Sequence, residues 1–126
     1  MLNAILLVSL VAAFFGSAAA GPLSGGYAPH CEEIRLQGTT LSAECTTSNY
    51  ETFQSSVNLN SCVGASSGKL GYSASGGFAS ACDLASCQLI GEEYLTCNCK
   101  ATNGQTVQSQ YDLNQCVGMA NGKLVC

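Results

Sequence analysis

The chain has 126 residues, with four basic against eight acidic side chains, nine cysteines, 14 glycines and no tryptophan. That length holds one modest core and leaves no room for a second enzyme-sized lobe. Charged residues make up only 10% of the sequence and the net charge is -4, so the electrostatic anchor for a phosphate backbone is missing and nucleic acid is not an expected partner.

Residues 1–20, MLNAILLVSLVAAFFGSAAA, carry no charge and end on Ala18, Ala19 and Ala20. A run of this kind closing on small residues reads as a secretory signal, cleaved near Gly21; Gly16-Ser17 interrupts the run as a membrane span, and an uncleaved anchor is the competing reading. The expectation is a secreted, extracellular protein of residues 21–126, forming one domain with no stable membrane insertion after cleavage. All nine cysteines fall in that part, which points to a disulfide framework. The odd count leaves at least one thiol over, and spacing alone cannot assign every pair.

Gly21 to Pro29 reads as a loose leader, followed by short alternating runs such as Ile34, Leu36 and Val57, Leu59 that indicate strands. The chain then compares with itself at an offset of 54. Gln54 to Leu70 lies over Gln108 to Leu124 with ten identities in seventeen positions, and Cys45 meets Cys99. Two sequence repeats, about 31–72 and 82–126, therefore share one core as a closed pseudo-symmetric pair, since open solenoids need more copies. Ser67-Gly68 and Asn121-Gly122 mark matching hairpin turns. The Ser/Gly-rich stretch Gly71 to Ala81 reads as the hinge, and little helix is expected.

In each repeat one cysteine opens the first strand and another closes the second, Cys31 with Cys45 and Cys82 with Cys99. Alternate residues share a strand face, so Cys97 and Cys99 reach partners on the facing strand. This predicts an inner bridge from Cys87 to Cys97, nested in Cys82 to Cys99 and replacing the apolar pair Ile34 and Ala43 of the first repeat.

The candidate chemistries are few. Cys97 and Cys99 flank one residue, but a single C-x-C with a lone His30 is not a zinc pattern, so no metal or other cofactor is expected. The Gly64 to Leu70 and Gly118 to Leu124 segments miss the phosphate-loop spacing. One histidine without a nucleophile motif, and paired glutamates that point to opposite faces of a strand, give no catalytic constellation, so an enzyme is not expected. A neutral surface rich in Ser, Thr, Asn and Gln, held by disulfides, suits hydroxyl-rich ligands.

The pattern Cys31, Gly38, Leu41, Cys45, then Leu59-Asn60 and Gly68-Lys69-Leu70, repeated as Leu113-Asn114 and Gly122-Lys123-Leu124, resembles the cyanovirin-N homology family over about residues 27–126. The resemblance implies an all-β, disulfide-stabilised, pseudo-twofold fold of two tandem repeats with strand exchange. It places bridges at Cys31 to Cys45 and Cys82 to Cys99, and implies a further one from Cys62 to Cys116, with Cys126 as the odd thiol at a buried strand end. It also implies a lectin for mannose or high-mannose glycans, with glycans or glycoproteins as partners. One pocket maps to His30, Thr46, Ser48, Met119, Ala120 and Asn121. The other maps to positions including Gly64, Ala65, Ser67, Ser80, Ala101 and Thr102, where most polar groups are gone and a degenerate site is expected. Thr46 and Asn121 replace acidic residues of the family, so weaker hydrogen-bond acceptance is expected there. The competing reading is a disulfide-rich secreted interaction protein, an effector or inhibitor, that keeps the fold without binding sugar. Strand exchange and a spare thiol leave a domain-swapped or cross-linked dimer open.

Overall fold

The computed structural model describes residues 26–126. The signal and its cleavage site lie outside the described residues. Ten strands form in chain order: β1 Cys31–Gln37, β2 Thr40–Thr46, β3 Thr52–Asn58, β4 Val63–Ser66 and β5 Lys69–Tyr72 from the first repeat; β6 Cys82–Ile90, β7 Tyr94–Lys100, β8 Thr106–Asp112, β9 Gly118–Ala120 and β10 Lys123–Val125 from the second. Among the described residues the longest helical segment is the single turn Phe78–Ala81, and no helix is long and apolar enough to cross a membrane.

Each repeat folds into a three-stranded antiparallel sheet, β1-β2-β3 or β6-β7-β8, followed by a two-stranded hairpin, β4-β5 or β9-β10. The hairpin turns follow the sequence closely. Ser67 and Gly68, and likewise Asn121 and Gly122, all have positive φ, which a two-residue turn of this hand requires at both central positions. β1 and β6 each carry a bulge opposite the second strand, spanning Glu33-Ile34 in the first repeat and Leu84 to Cys87 in the second. The second bulge holds two residues more than the first.

The hairpins are exchanged. β9-β10 packs on β2-β3 of the first repeat, where the Leu124 N–H donates to Ser55 Oγ at 2.8 Å. β4-β5 packs on β8, where the Leu70 N–H donates to Ser109 Oγ at 2.9 Å. Each spatial lobe is therefore built from both repeats, and one core of residues such as Leu41, Leu59, Val63, Leu95, Leu113 and Val117 runs through both.

The repeated Leu-Asn pair secures the crossings. Leu59 and Leu113 are buried in 3-10 turns, capped by the Asn58 and Asp112 side chains accepting from the Asn60 and Asn114 N–H groups. Asn60 Oδ1 then accepts from the Ala79 N–H, and Asn114 Oδ1 accepts from the Ala28 N–H, both at 2.9 Å. These bonds anchor the two segments that lead into β6 and β1.

That anchoring corrects the reading of Gly21 to Pro29 as a loose leader over its described part. Tyr27 is fully buried, its hydroxyl donates to the Glu92 carbonyl at 2.7 Å, and Ala28–His30 forms a 3-10 turn. Gly26, at φ +61, has Asn114 so close that a Cβ would collide with it. The stretch Gly71 to Ala81 is likewise only partly a linker, since its start lies in β5 and Phe78 is buried as the counterpart of Tyr27. Burying one such aromatic contributes roughly 2–3 kcal/mol, so neither segment is loose.

Bridges join Cys31 to Cys45, Cys82 to Cys99 and Cys87 to Cys97. Cys87 sits in the bulge where the first repeat has the buried Ile34, and Cys97 matches the buried Ala43. The implied Cys62 to Cys116 bridge is not formed. Cys62 pairs with Cys126, and Cys116 is the free, buried cysteine. The pseudo-twofold explains this, because the counterpart of a Cys62–Cys126 bridge joins Cys116 to position 72, and Tyr72 stands there. Cys126 is exposed, against the expectation of a buried strand end. Burial pushes the Cys116 thiol up to about 11, against a bond from the neighbouring Tyr111 hydroxyl that favours the thiolate.

Candidate functional site

The loop between β2 and β3, residues 47–51, is closed by its own backbone. Thr47 donates its N–H to the Glu51 carbonyl at 2.8 Å, and the Tyr50 N–H donates to the Thr47 carbonyl at 2.9 Å. The Thr47 hydroxyl also accepts from the Asn49 and Glu51 N–H groups, each at 3.2 Å. The fold sets this loop beside the exchanged hairpin β9-β10, and the two enclose a cavity of about 390 Å³.

The polar residues Ser48, Asn49, Glu51 and Asn121 line the cavity together with Phe53, Met119 and Thr47. Gly122 closes the floor. A Cβ there would run into the Phe53 ring and the Thr47 methyl, so only glycine lets loop and hairpin approach this closely. Met119 Sδ lies 3.7 Å from Cys31 Sγ, a sulfur contact that ties the wall to the outer disulfide of the first repeat.

Of the candidate residues, Ser48, Met119 and Asn121 converge on this cavity. Thr46 is not among its lining residues, because strand alternation turns it to the face opposite Thr47, where its hydroxyl lies 3.2 Å from that of Thr52. His30 closes the 3-10 turn before β1 and is exposed outside the lining set, and Ala120 is likewise exposed outside it. The sequence reading missed Glu51. It is the only charged residue among those lining the cavity, and charge-assisted hydrogen bonds are roughly twice as strong as neutral ones. The signal was present as the only acid in the 47–53 segment, but its place beside the cavity depends on the Thr47-centred turn, which bonds the Glu51 backbone.

The second repeat builds the same loop. Ala101 donates its N–H to the Gln105 carbonyl at 2.8 Å and the Gly104 N–H donates to the Ala101 carbonyl at 2.9 Å. Yet Ser67 and Thr102, counterparts of Asn121 and Ser48, lie with their hydroxyl oxygens 3.2 Å apart and bond to each other. Phe53, Met119 and Glu51 are matched by Val107, Ala65 and Gln105. Two other hollows lie in this lobe. One of about 170 Å³ is bordered by Gly64, Ala65, Tyr72 and Gly76, and one of about 550 Å³ runs along Ser80, Asp83, Asn98, Lys100 and Thr106. The larger volume lies along β6, β7 and the start of β8, whereas the first-lobe cavity lies between a loop and the exchanged hairpin and has the acidic Glu51 in its lining.

One residue of the first loop stands apart. Tyr50 has φ +64, a region that costs a bulky side chain about 1–3 kcal/mol, and its counterpart is Gly104 at φ +85.

The sequence profile of the CVNH domain family matches residues 27–93 and 78–126. Solved structures agree. The CVNH protein of T. borchii is 29% identical with a TM-score of 0.64, over 80% of this chain and 98% of that one. Microvirin, solved as a mannobiose complex, is 25% identical with a TM-score of 0.59, over 71% and 86%. The CVNH protein of Gibberella zeae, 20% identical with a TM-score of 0.67 over 79% and 94%, shares the fold. A search of curated proteins finds no match. The chain belongs to the CVNH domain family, a family of carbohydrate-binding lectins rather than enzymes.

Proposed function

We propose that the protein is a secreted lectin for mannose or high-mannose glycans that binds at one site, the cavity between residues 47–53 and the β9-β10 hairpin. The observation that carries this reading is the convergence of Ser48, Glu51 and Asn121 on a cavity with an apolar wall of Phe53 and Met119. A pyranose presents hydroxyls that both donate and accept, together with apolar C–H faces, and this lining offers a partner for each. The mannobiose complex of microvirin supports mannose as the sugar. The second site is degenerate in this reading, because Ser67 and Thr102 satisfy each other.

A few neutral bonds of about 0.5–1.5 kcal/mol each, plus one carboxylate, give weak binding to a single sugar, so strong attachment requires a multivalent glycan. Secretion through residues 1–20 belongs to the same proposal, and mass analysis of the exported chain beginning at Gly21 tests it.

The lectin reading is tested on a glycan array with the oxidised protein and its Asn121→Ala and Glu51→Gln variants. Expected is binding to high-mannose glycans that free oligomannose displaces and that both variants weaken. Binding to cells or glycoproteins that oligomannose leaves untouched would favour a protein-interaction surface instead.

A further inference from the structure

The chain contains two Asn-Gly pairs, Asn103-Gly104 in the loop of the second lobe and Asn121-Gly122 at the tip of the exchanged hairpin. In such a pair the glycine nitrogen follows the asparagine amide with no Cβ to obstruct it, so the side chain can close onto the backbone. Both asparagines are exposed, and access to water does not separate them.

Their hydrogen bonds do. The Gly104 N–H donates to the Ala101 carbonyl at 2.9 Å. Asn103 Oδ1 accepts from the Gln105 N–H at 2.9 Å, and Asn103 Nδ2 donates to Gln105 Oε1 at 3.4 Å. The attacking nitrogen and the amide it would attack are therefore both engaged. In the Asn121-Gly122 turn the strand pairing runs from Ala120 to Lys123 and leaves the Gly122 N–H outside it. Among the described residues neither the Asn121 side chain nor the Gly122 N–H makes a hydrogen bond. The flanking strands β9 and β10 have three residues each, so the tip opens locally at little cost. The repeat counterpart, Ser67-Gly68, has no amide to lose.

We propose that Asn121 is a site of spontaneous deamidation, through which the cavity acquires a second carboxylate. The Gly122 nitrogen forms a bond to Asn121 Cγ and gives up its proton; the Cγ–Nδ2 bond breaks, and ammonia leaves with that proton. A cyclic imide between the two residues results. Water is the only co-reactant, adding to either imide carbonyl and breaking that carbon's bond to nitrogen. Opening at Cγ gives aspartate, and opening at the backbone carbonyl gives isoaspartate with the chain running through Cγ. Either product replaces an amide by a carboxylate without oxidation or reduction. A lining whose only charged residue is Glu51 then carries two acids, whatever ligand the cavity takes.

The test holds the oxidised protein in neutral buffer, beside a reduced, thiol-blocked chain unfolded in guanidinium, and follows both pairs by peptide mapping with mass spectrometry. In the folded protein, conversion at Asn121 is expected to run about tenfold faster than at Asn103, whose hydrogen bonds must break first. In the unfolded chain the two are expected to convert within about threefold of each other, since only near neighbours then distinguish them. Aspartate and isoaspartate are both expected at position 121. Asn121→Ser, which copies Ser67, should abolish conversion there and leave the rate at Asn103 within about twofold of wild type.

Equal rates at Asn103 and Asn121 in the folded protein would overturn the proposal. So would a folded rate at Asn121 more than about a hundredfold below the unfolded one, since the hairpin would then shield the pair. Aspartate without isoaspartate would overturn the route through the Gly122 nitrogen, because direct hydrolysis of the side-chain amide gives aspartate alone.

Discussion

In the first lobe, Asn121 and Ser48 face a cavity that also holds Glu51; in the second, their counterparts Ser67 and Thr102 lie 3.2 Å apart and bond to each other. The backbone of the two loops is nearly the same, down to matching hydrogen bonds of 2.8 and 2.9 Å. The difference lies in what the side chains have left to give. A site for hydroxyls needs donors and acceptors that the fold has not already used, and walls large enough to hold the facing groups apart. Phe53 and Met119 provide such walls, whereas Val107 and Ala65 do not. Duplication thus copies a scaffold, and the copies diverge by side-chain length and hydrogen-bond saturation.

The same asymmetry runs through the crossings, and breaking it there should have the largest effect. The Cys62–Cys126 bridge closes a separation of 64 residues and has no counterpart in the other repeat, where Cys116 is free and Tyr72 stands in place of a cysteine. Removing it with Cys62→Ser and Cys126→Ser together should cost about 4 kcal/mol in urea unfolding. A loss below about 1 kcal/mol would show that the crossing is held by packing alone.

Next in size is an alkaline effect. Cys62 is bridged, but burial holds the Cys116 thiol at about 11, and burial also raises the Tyr27 and Tyr111 phenols. The unfolded chain releases the thiol proton first as pH rises. The stabilisation is therefore complete below about pH 9 and is lost as pH rises through about 11, a change of about 3 kcal/mol for the cysteine. Cys116→Val should flatten the stability profile over that interval, and urea midpoints from pH 8 to 11 measure it. An equally steep fall in the variant would assign the whole effect to the phenols.

These two predictions concern features that the sequence showed unevenly. Period-two alternation and a 54-residue offset made the sheets, the hairpin turns and the nested Cys82, Cys87, Cys97 and Cys99 pairs legible, because each depends on neighbours along or across one hairpin. The Cys62 partner was not legible. It depends on how two exchanged hairpins meet, and equal repeat positions do not imply that equal residues touch. Tyr27 looked like leader because Gly26 and Pro29 flank it, and only the Asn114 side chain, far along the chain, shows why it is buried. At the cavity, Ser48 and Asn121 were reached through the family resemblance rather than the repeat pattern, and both line it. Glu51 was not reached at all, since its place in the lining follows from the loop closure in which its backbone N–H bonds the Thr47 hydroxyl, and the turn of Thr46 to the opposite face follows from where β2 ends.

Smaller effects sharpen the comparison at the binding lobes. Asn121→Ala and Glu51→Gln should each weaken mannobiose binding by about 1 kcal/mol, roughly fivefold. Glu51→Gln should leave the melting temperature little changed because its side chain is exposed, whereas Asn121→Ala should lower it by a few degrees, since alanine tolerates the positive φ of this turn position less well than asparagine. Smallest of all, Ser67→Ala should leave binding unchanged and alter stability by no more than about 0.5 kcal/mol, since it removes one exposed hydroxyl pair. A binding loss from Ser67→Ala would show that the second lobe is not degenerate.

The most direct measurement follows backbone amide resonances of the oxidised protein during titration with α1,2-mannobiose. The predicted result is one site per chain, with shifts concentrated in residues 47–53 and 119–122 and none of comparable size in 65–68 or 101–105. Two equal sets of shifts, shifts only around Ser67 and Thr102, or no shifts at millimolar sugar would contradict the account.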